Sequence, residues 1–224
     1  MLKGKRIGFC ITGSFCTFQL VIPQIKKLVD EGAIVLPIMS FNSYELDTKF
    51  GKAEDFIKEI ESITSNKIIH TIQEAEPIGP KHLTDLMVVV PCSGNTIAKL
   101  ANGINDTPVL MAVKSHLRNG NNVVIGISTN DGLAASASNI GTLLNRNHYY
   151  FVPFRQDNPI TKPRSIVFDP DLITKTINGA LNNEQIQPIL LWIWIFIIFF
   201  KIPLDRTHVR LYNLFIKTIV LVWG

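Results

Sequence analysis

The sequence predicts a three-layer domain with helices on both faces of a mainly parallel β-sheet. Three observations carry this expectation. Short apolar runs alternate along the chain with amphipathic stretches of helical period. Twice, an apolar run leads through a turn of small polar residues straight into a helix, the unit from which parallel sheets are built. Finally, about two hundred residues precede an apolar C-terminal tail, a length that suits one large α/β domain.

The first strand is expected near 6–11, where Ile7–Ile11 follows Lys5 and Arg6. A helix over 17–31 comes next, because Leu20, Val21, Ile25, Leu28 and Val29 recur close to helical spacing. The alternation then predicts a strand near 34–39 and a helix near 53–63. Leu86–Val90 is an unbroken apolar run rich in β-branched residues, as a strand buried on both faces requires, which places a strand at 86–91. A helix near 96–103 follows. Further strands are expected near 108–113, 122–127 and 149–153, with helices near 130–146 and 170–182. No internal repeat and no hinge-like linker precedes Pro188. Residues 1–188 therefore form one Rossmann-like, flavodoxin-like αβα unit.

The segment Pro91–Met111, PCSGNTIAKLANGINDTPVLM, is the most informative part of the chain. Ser93, Gly94, Asn95 and Thr96 stand where a strand passes into a helix. Small residues there let a ligand approach the backbone, and the first helical turn offers unpaired N–H groups and a positive dipole end. Thr12-Gly13-Ser14 repeats the pattern after the first strand. The Gly8–Ser14 spacing resembles a phosphate-binding Walker loop, but Phe15 stands where its lysine would be, and the three-glycine dinucleotide fingerprint is missing. Together the two turns predict an anion site at the carboxyl ends of the strands. The bland reading of Asn95 is a helix N-cap.

Composition narrows the function classes. Lys and Arg number 22 against 18 Asp and Glu, a net charge of +4, yet the basic residues are scattered. Nucleic-acid binding needs a basic stripe or patch, and none is visible. Met1-Leu2-Lys3-Gly4 runs directly into the first strand, so no secretory signal is expected. Cys10, Cys16 and Cys92 are odd in number and form no CxxC pair, which fits a reduced cytosolic setting. His70, His82, His116, His148 and His208 show no metal-ligand spacing, and no metal site is expected.

The ITGS turn at Ile11–Ser14 and the Pro91 motif, with its S-x-N-T-I-A-K-L-A-N-G-I-x-D continuation, resemble the flavoprotein family. That family includes FMN-binding cysteine decarboxylases and flavin prenyltransferases. Within it the likeness is to the B subunits of the dipicolinate synthases of spore-forming bacteria. It is carried by LKGKRIGF at Leu2–Phe9, PQI-x-x-LV-x-EGA at Pro23–Ala33 and AEP-x-GPK at Ala75–Lys81, then by GISTND at Gly126–Asp131, PF-x-QD-x-P at Pro153–Pro159 and QPIL at Gln187–Leu190. It covers residues 2–190.

The resemblance implies a cytoplasmic protein, in the mother cell of a sporulating bacterium, that oxidises dihydrodipicolinate to dipicolinate (pyridine-2,6-dicarboxylate). Its implied partner is a dehydrogenase-like A subunit that carries NADP or NAD, and self-association into a homo-oligomer is implied as well. A stand-alone FMN decarboxylase or prenyltransferase and a non-catalytic stabiliser of the A subunit are the alternatives. FMN is the implied cofactor, gripped by Gly13, Ser14, Ser93, Asn95 and Thr96. Ser40-Phe41-Asn42 either flanks the ring system or is a plain surface loop. The decarboxylases carry a histidine before the strand that leads into the Pro91 motif; here Glu76–Lys81 occupies that stretch and His82 is displaced toward the strand. His70 reads as a half-buried strand residue. No catalytic residue is assigned. A dicarboxylate needs fixed cations, for which Lys81, Lys114 and Arg118 are candidates; Arg155 is a weaker one, because relatives carry a small residue there.

After Gln187-Pro188 the character of the chain changes. Ile189–Phe200 is wholly apolar, and a second apolar stretch, Leu211–Trp223, follows a polar patch. The family members of this kind end soon after QPIL, and the Ile, Phe, Leu, Lys and Asn bias suits translated A/T-rich DNA, so 189–224 is read as atypical or non-native coding. A membrane hairpin is disfavoured, since the run is shorter than the roughly 20 residues of a span. A partner-packing segment is the third reading.

Overall fold

The structure is a computed structural model, and it describes residues 2–191. The first strand, β1 (Arg6–Ile11), leads through a 3-10 turn at Phe15–Thr17 into α1 (Phe18–Asp30). Then come β2 (Ile34–Met39), α2 (Phe41–Glu45), α3 (Ala53–Thr64) and α4 (Ile72–Ala75). β3 (Leu86–Cys92) is followed by α5 (Gly94–Ala101) and α6 (Pro108–Leu117), and β4 (Val123–Thr129) by α7 (Ala137–Leu144). β5 (Tyr149–Phe151), a hairpin of β6 (Phe154–Asn158) and β7 (Lys162–Phe168), and α8 (Ile173–Leu181) complete the described chain.

The parallel part of the sheet runs β2-β1-β3-β4-β5. Its order reverses between β1 and β3, and in open α/β sheets the ligand crevice lies at that switch point. The outer edge of β4 is shared: Val123–Ile125 pair with β5, whereas Ser128 and Thr129 pair antiparallel with Val167 and Ile166 of β7. All seven residues of β3 are buried, as a central strand covered on both faces must be. Alternate side chains serve two cores. Val88 and Val90 join Phe18, Ile25, Ile60 and Ile177 beneath α1, α3 and α8, while Met87 and Val89 join Ile97, Val109 and Ile140 beneath α5, α6 and α7.

Several elements differ from the sequence-based expectation, the short helices α2 and α4 among them. The strand expected over 108–113 is α6: Thr107 caps it by accepting from the Leu110 N–H, and Pro108 stands at its first position. A short apolar run fits either element, and the Thr-Pro start decides for helix. The helix expected over 130–146 is confined to α7, because Thr129–Ser136 turns around Asp131, whose carbonyl accepts from the Ala134 and Ser136 N–H groups. The hairpin β6–β7 was not anticipated. Beyond Pro188, the Ile189 carbonyl and the Leu191 N–H bracket Phe154 of β6, so backbone pairing continues to Leu191. The remainder of the tail, 192–224, lies outside the described residues. Among the described residues no helix is long and apolar enough to cross a membrane.

Candidate functional site

The two turns expected to form an anion site meet at the switch point. The Thr12 hydroxyl donates to the Pro91 carbonyl at 2.8 Å and accepts from the Ser93 N–H at 3.0 Å, stitching the end of β1 to the end of β3. The Ser14 hydroxyl reaches across to donate to the Ser128 carbonyl at 2.7 Å, which ties the same turn to β4. The loop after β2 closes the third side. Ser43 donates to the Ile11 carbonyl, and Asn42 Cβ is 3.9 Å from where a Cβ on Gly13 would stand.

These contacts divide the labour among the sequence-predicted residues. Ser93, rather than Asn95, is the N-cap of α5; its Oγ accepts from the Thr96 N–H and lies 3.1 Å from the Thr96 hydroxyl. Thr96 is buried, so its hydroxyl shapes the turn from within. Asn95 is exposed at the second helical position, and its side chain has no hydrogen-bond partner among the described residues. With Ser93 satisfying Thr96, the N–H groups of Gly94 and Asn95 remain open at the positive end of α5. Gly13 is exposed, and a Cβ there would meet nothing closer than 3.6 Å, while its φ lies outside the left-handed range. Neither packing nor backbone geometry demands glycine at 13; close approach of a ligand would.

Three residues of the cluster were not singled out from the sequence, Thr129, Asp131 and Ser136, and Thr12 was read only as part of its turn. Asp131 accepts hydrogen bonds from the hydroxyls of Thr129 and Ser136. The Thr129 bond first, then that of Ser136, holds its carboxyl below the usual carboxylate range, so it is ionised at neutral pH. A Cβ on Gly94 would lie 2.7 Å from Thr129 Oγ1, 2.8 Å from Ser136 Oγ and 2.9 Å from Asp131 Oδ1. Glycine at 94 is thus required by packing, and the Asp131 cluster braces the first turn of α5. The signal was present in GISTND, which repeats the strand-to-small-polar pattern of the other two turns.

The cationic candidates fall elsewhere. Lys81 precedes β3, and Lys114 and Arg118 stand in the last turn and C-cap of α6, immediately before β4. All three therefore lie at the amino end of the sheet, opposite the turns. The reason is the reversal of 108–117 from strand to helix: a strand would have delivered 114–118 to the carboxyl end, and a helix returns them to the other. Arg155 pairs with Asp169 at 3.1 Å. His82 is exposed at the amino end, its Nδ1 3.4 Å from the Asn119 amide. His70 is half-buried beyond the Ile38–Ile69 bridge, stacked on Tyr44 at 3.9 Å. Cys10 and Cys92 are buried, and burial pushes both thiols up, which disqualifies them as nucleophiles. Among the described residues no cluster of His, Cys, Asp or Glu could hold a metal.

Among the described residues, two clefts bear on the site. One, of about 350 Å³, is lined by Arg146, His148, Tyr149 and Asn183 at the amino end of β4 and β5, remote from the turns. The other, of about 310 Å³, is lined by Asn130, Lys162, Pro163 and Arg164 and adjoins Asp131.

The comparisons with known proteins agree with this architecture. The flavoprotein family model matches residues 1–153. The chain belongs to the flavoprotein family. Among the relatives of this flavoprotein is the dipicolinate synthase B subunit of Bacillus subtilis, 49% identical over 189 residues, which are 84% of this chain and 94% of that protein. The crystal structure of the dipicolinate synthase B subunit from Bacillus halodurans is 44% identical and superposes with a TM-score of 0.79 over 85% of this chain and 98% of that one. The FMN-dependent cysteine decarboxylase SpaF, at 18% identity, shares the fold alone, with a TM-score of 0.62 over 81% of this chain and 98% of its own.

Proposed function

We propose that this flavoprotein is the B subunit of a dipicolinate synthase, acting in the cytoplasm of the mother cell of a sporulating bacterium. The observation that carries the reading is the 49% identity spanning 94% of a protein that bears that name. In the reaction, dihydrodipicolinate loses a hydride and a proton and becomes the aromatic pyridine-2,6-dicarboxylate. The hydride passes to NADP or NAD on a dehydrogenase-like A subunit; aromatisation supplies the driving force, and the protein contributes orientation.

FMN fits the turns described above. Its phosphate would meet the open N–H groups of Gly94 and Asn95 and the bare backbone of Gly13, with the Asn95 amide as a further donor. Ser14, Ser93 and Thr96 hold the turns in register, and Ser40-Phe41-Asn42, at the start of α2, would flank the ring. Bound there, a flavin supplies a two-electron redox centre. An equivalent of the decarboxylases' histidine is missing from Glu76–Lys81, which weakens the stand-alone decarboxylase reading.

The experiment is a reconstitution. Mixed with its A subunit, the chain should convert dihydrodipicolinate to dipicolinate, followed by ultraviolet absorbance, whereas neither protein alone does so efficiently. Equal rates with and without the chain would reduce it to an accessory. Release of carbon dioxide from a cysteine-containing substrate by the chain alone would favour a decarboxylase. A spectrum of the purified chain reports bound flavin directly.

A further inference from the structure

The hairpin β6–β7 rises from the sheet at the end where the turns open. Because β7 runs antiparallel to β4 and their last pair is Thr129 with Ile166, residues 162–165 extend past the carboxyl end of β4. The arm is pinned in place. The Leu133 N–H donates to the Arg164 carbonyl at 3.0 Å, the Ser165 hydroxyl meets the Thr129 carbonyl at 3.3 Å, and a Cβ on Gly132 would collide with Ile166 at 2.1 Å. Lys162 and Arg164 occupy alternate positions of one strand and so share a face, their Cα atoms roughly 6.6 Å apart.

From this geometry we infer that the cleft formed by Asn130, Lys162 and Arg164 anchors the two carboxylates of the substrate. The inference rests on the dicarboxylate reading of the function and adds the residues that would recognise it. Arg164 is exposed and has no acidic partner among the described residues, so its planar fork is available for bidentate binding of one carboxylate. Lys162 is held by Asp157 at 2.6 Å, with side chains 57% and 36% exposed. Such an exposed pair is weak, and exchanging Asp157 for the second carboxylate costs little. Two cations on one strand face, about two residues' rise apart, match two carboxylates set meta on a single ring. The Asn130 amide supplies a donor for the ring edge. Placement favours this cleft over the larger one: Asn130 adjoins Thr129 and Asp131, which brace Gly94, so ring and flavin site would be neighbours.

The test uses the chain assembled with its A subunit, and pyridine-2,6-dicarboxylate as the calorimetric probe. Arg164→Gln and Lys162→Gln should each raise its Kd on the order of tenfold, as loss of one charge-assisted contact does. The steady-state counterpart is a raised KM for dihydrodipicolinate with kcat little changed. Pyridine-2-carboxylate should bind the unaltered enzyme more weakly and be indifferent to Lys162→Gln. Lys81→Gln and Arg118→Gln, at the other end of the sheet, should leave the Kd unchanged. An unaltered Kd in Arg164→Gln, with melting temperature and flavin spectrum preserved, overturns the inference while leaving the functional reading intact. An equal loss in Lys81→Gln overturns it too. Failure of the unaltered assembly to bind the probe overturns the dicarboxylate reading itself, and the anchor with it.

Discussion

Gly13 and Gly94 sit in matching turns; packing requires glycine at 94 but not at 13, where the proposed phosphate would, and alanine at each separates the two. At 94 the added methyl would stand 2.7–2.9 Å from Thr129 Oγ1, Ser136 Oγ and Asp131 Oδ1, so the hydroxyl–carboxylate cluster must open. Overpacking of this kind costs about 1–3 kcal/mol. The reduced entropy of the unfolded chain returns about 0.4–1 kcal/mol, which leaves Gly94→Ala destabilised by roughly 0–2.6 kcal/mol. At 13 the methyl meets only Phe15 and Asn42, at 3.6 Å and beyond, and no left-handed backbone has to be strained. Gly13→Ala should therefore be neutral or slightly stabilising, by about 0.4–1 kcal/mol at most. Its cost should appear in ligand binding: a blocked phosphate loses a charge-assisted hydrogen bond worth about 1.5–3 kcal/mol, on the order of ten- to a hundredfold in Kd. Urea unfolding midpoints measure the first quantity, and FMN titration followed by flavin fluorescence the second. Tight FMN binding by a stable Gly13→Ala protein would refute the claim that glycine is kept there for the ligand. A gain in stability in Gly94→Ala, like that allowed for Gly13→Ala, would refute the bracing role of the Asp131 cluster.

Other consequences are narrower. Asn95→Ala should weaken binding of FMN or inorganic phosphate by about 1–3 kcal/mol without moving the urea midpoint, since its side chain holds no intramolecular partner among the described residues. His116 is buried; its Nε2–H donates to the Asn122 carbonyl at 2.9 Å, and its Nδ1 lies 2.8 Å from the Thr84 hydroxyl. Burial lowers its pKa from 6.5. The unfolded chain then takes up the proton first, and stability that is full above pH 6.5 should fall as pH drops below it; a His116→Gln protein with the same slope would exclude this histidine as the cause. The depressed Asp131 carboxyl adds a second acid-side loss, beginning below its reference value of 3.8, which Asp131→Asn should remove from the urea–pH profile. A chain ending at Leu191 retains every core residue named here and should keep its melting transition and its affinity for the A subunit; loss of either would make 192–224 a working part of the protein.

The central strands and their turns were legible because burial on two faces leaves a parallel strand almost no choice but an apolar run, as in Leu86–Val90, and because a turn that receives a ligand must be small and polar. The 108–117 segment was misread since ten apolar-rich residues satisfy both periods, and only the Thr107-Pro108 start distinguished them. The hairpin was hidden for the opposite reason. FRQDN and KPRSIVF lie partly exposed at a sheet edge, where burial writes no pattern into the sequence. Convergence itself was tertiary. Ser14 meets Ser128 across 114 residues, and Thr12 meets Ser93 across 81, through a strand order that composition does not encode. Which charges stand near the turns was tertiary too, because helix polarity carried Lys114 and Arg118 to the amino end while antiparallel pairing lifted Lys162 and Arg164 to the carboxyl end. Local physics determines which residues can make a phosphate turn or a buried strand; the direction in which each element crosses the sheet decides which of them share a site.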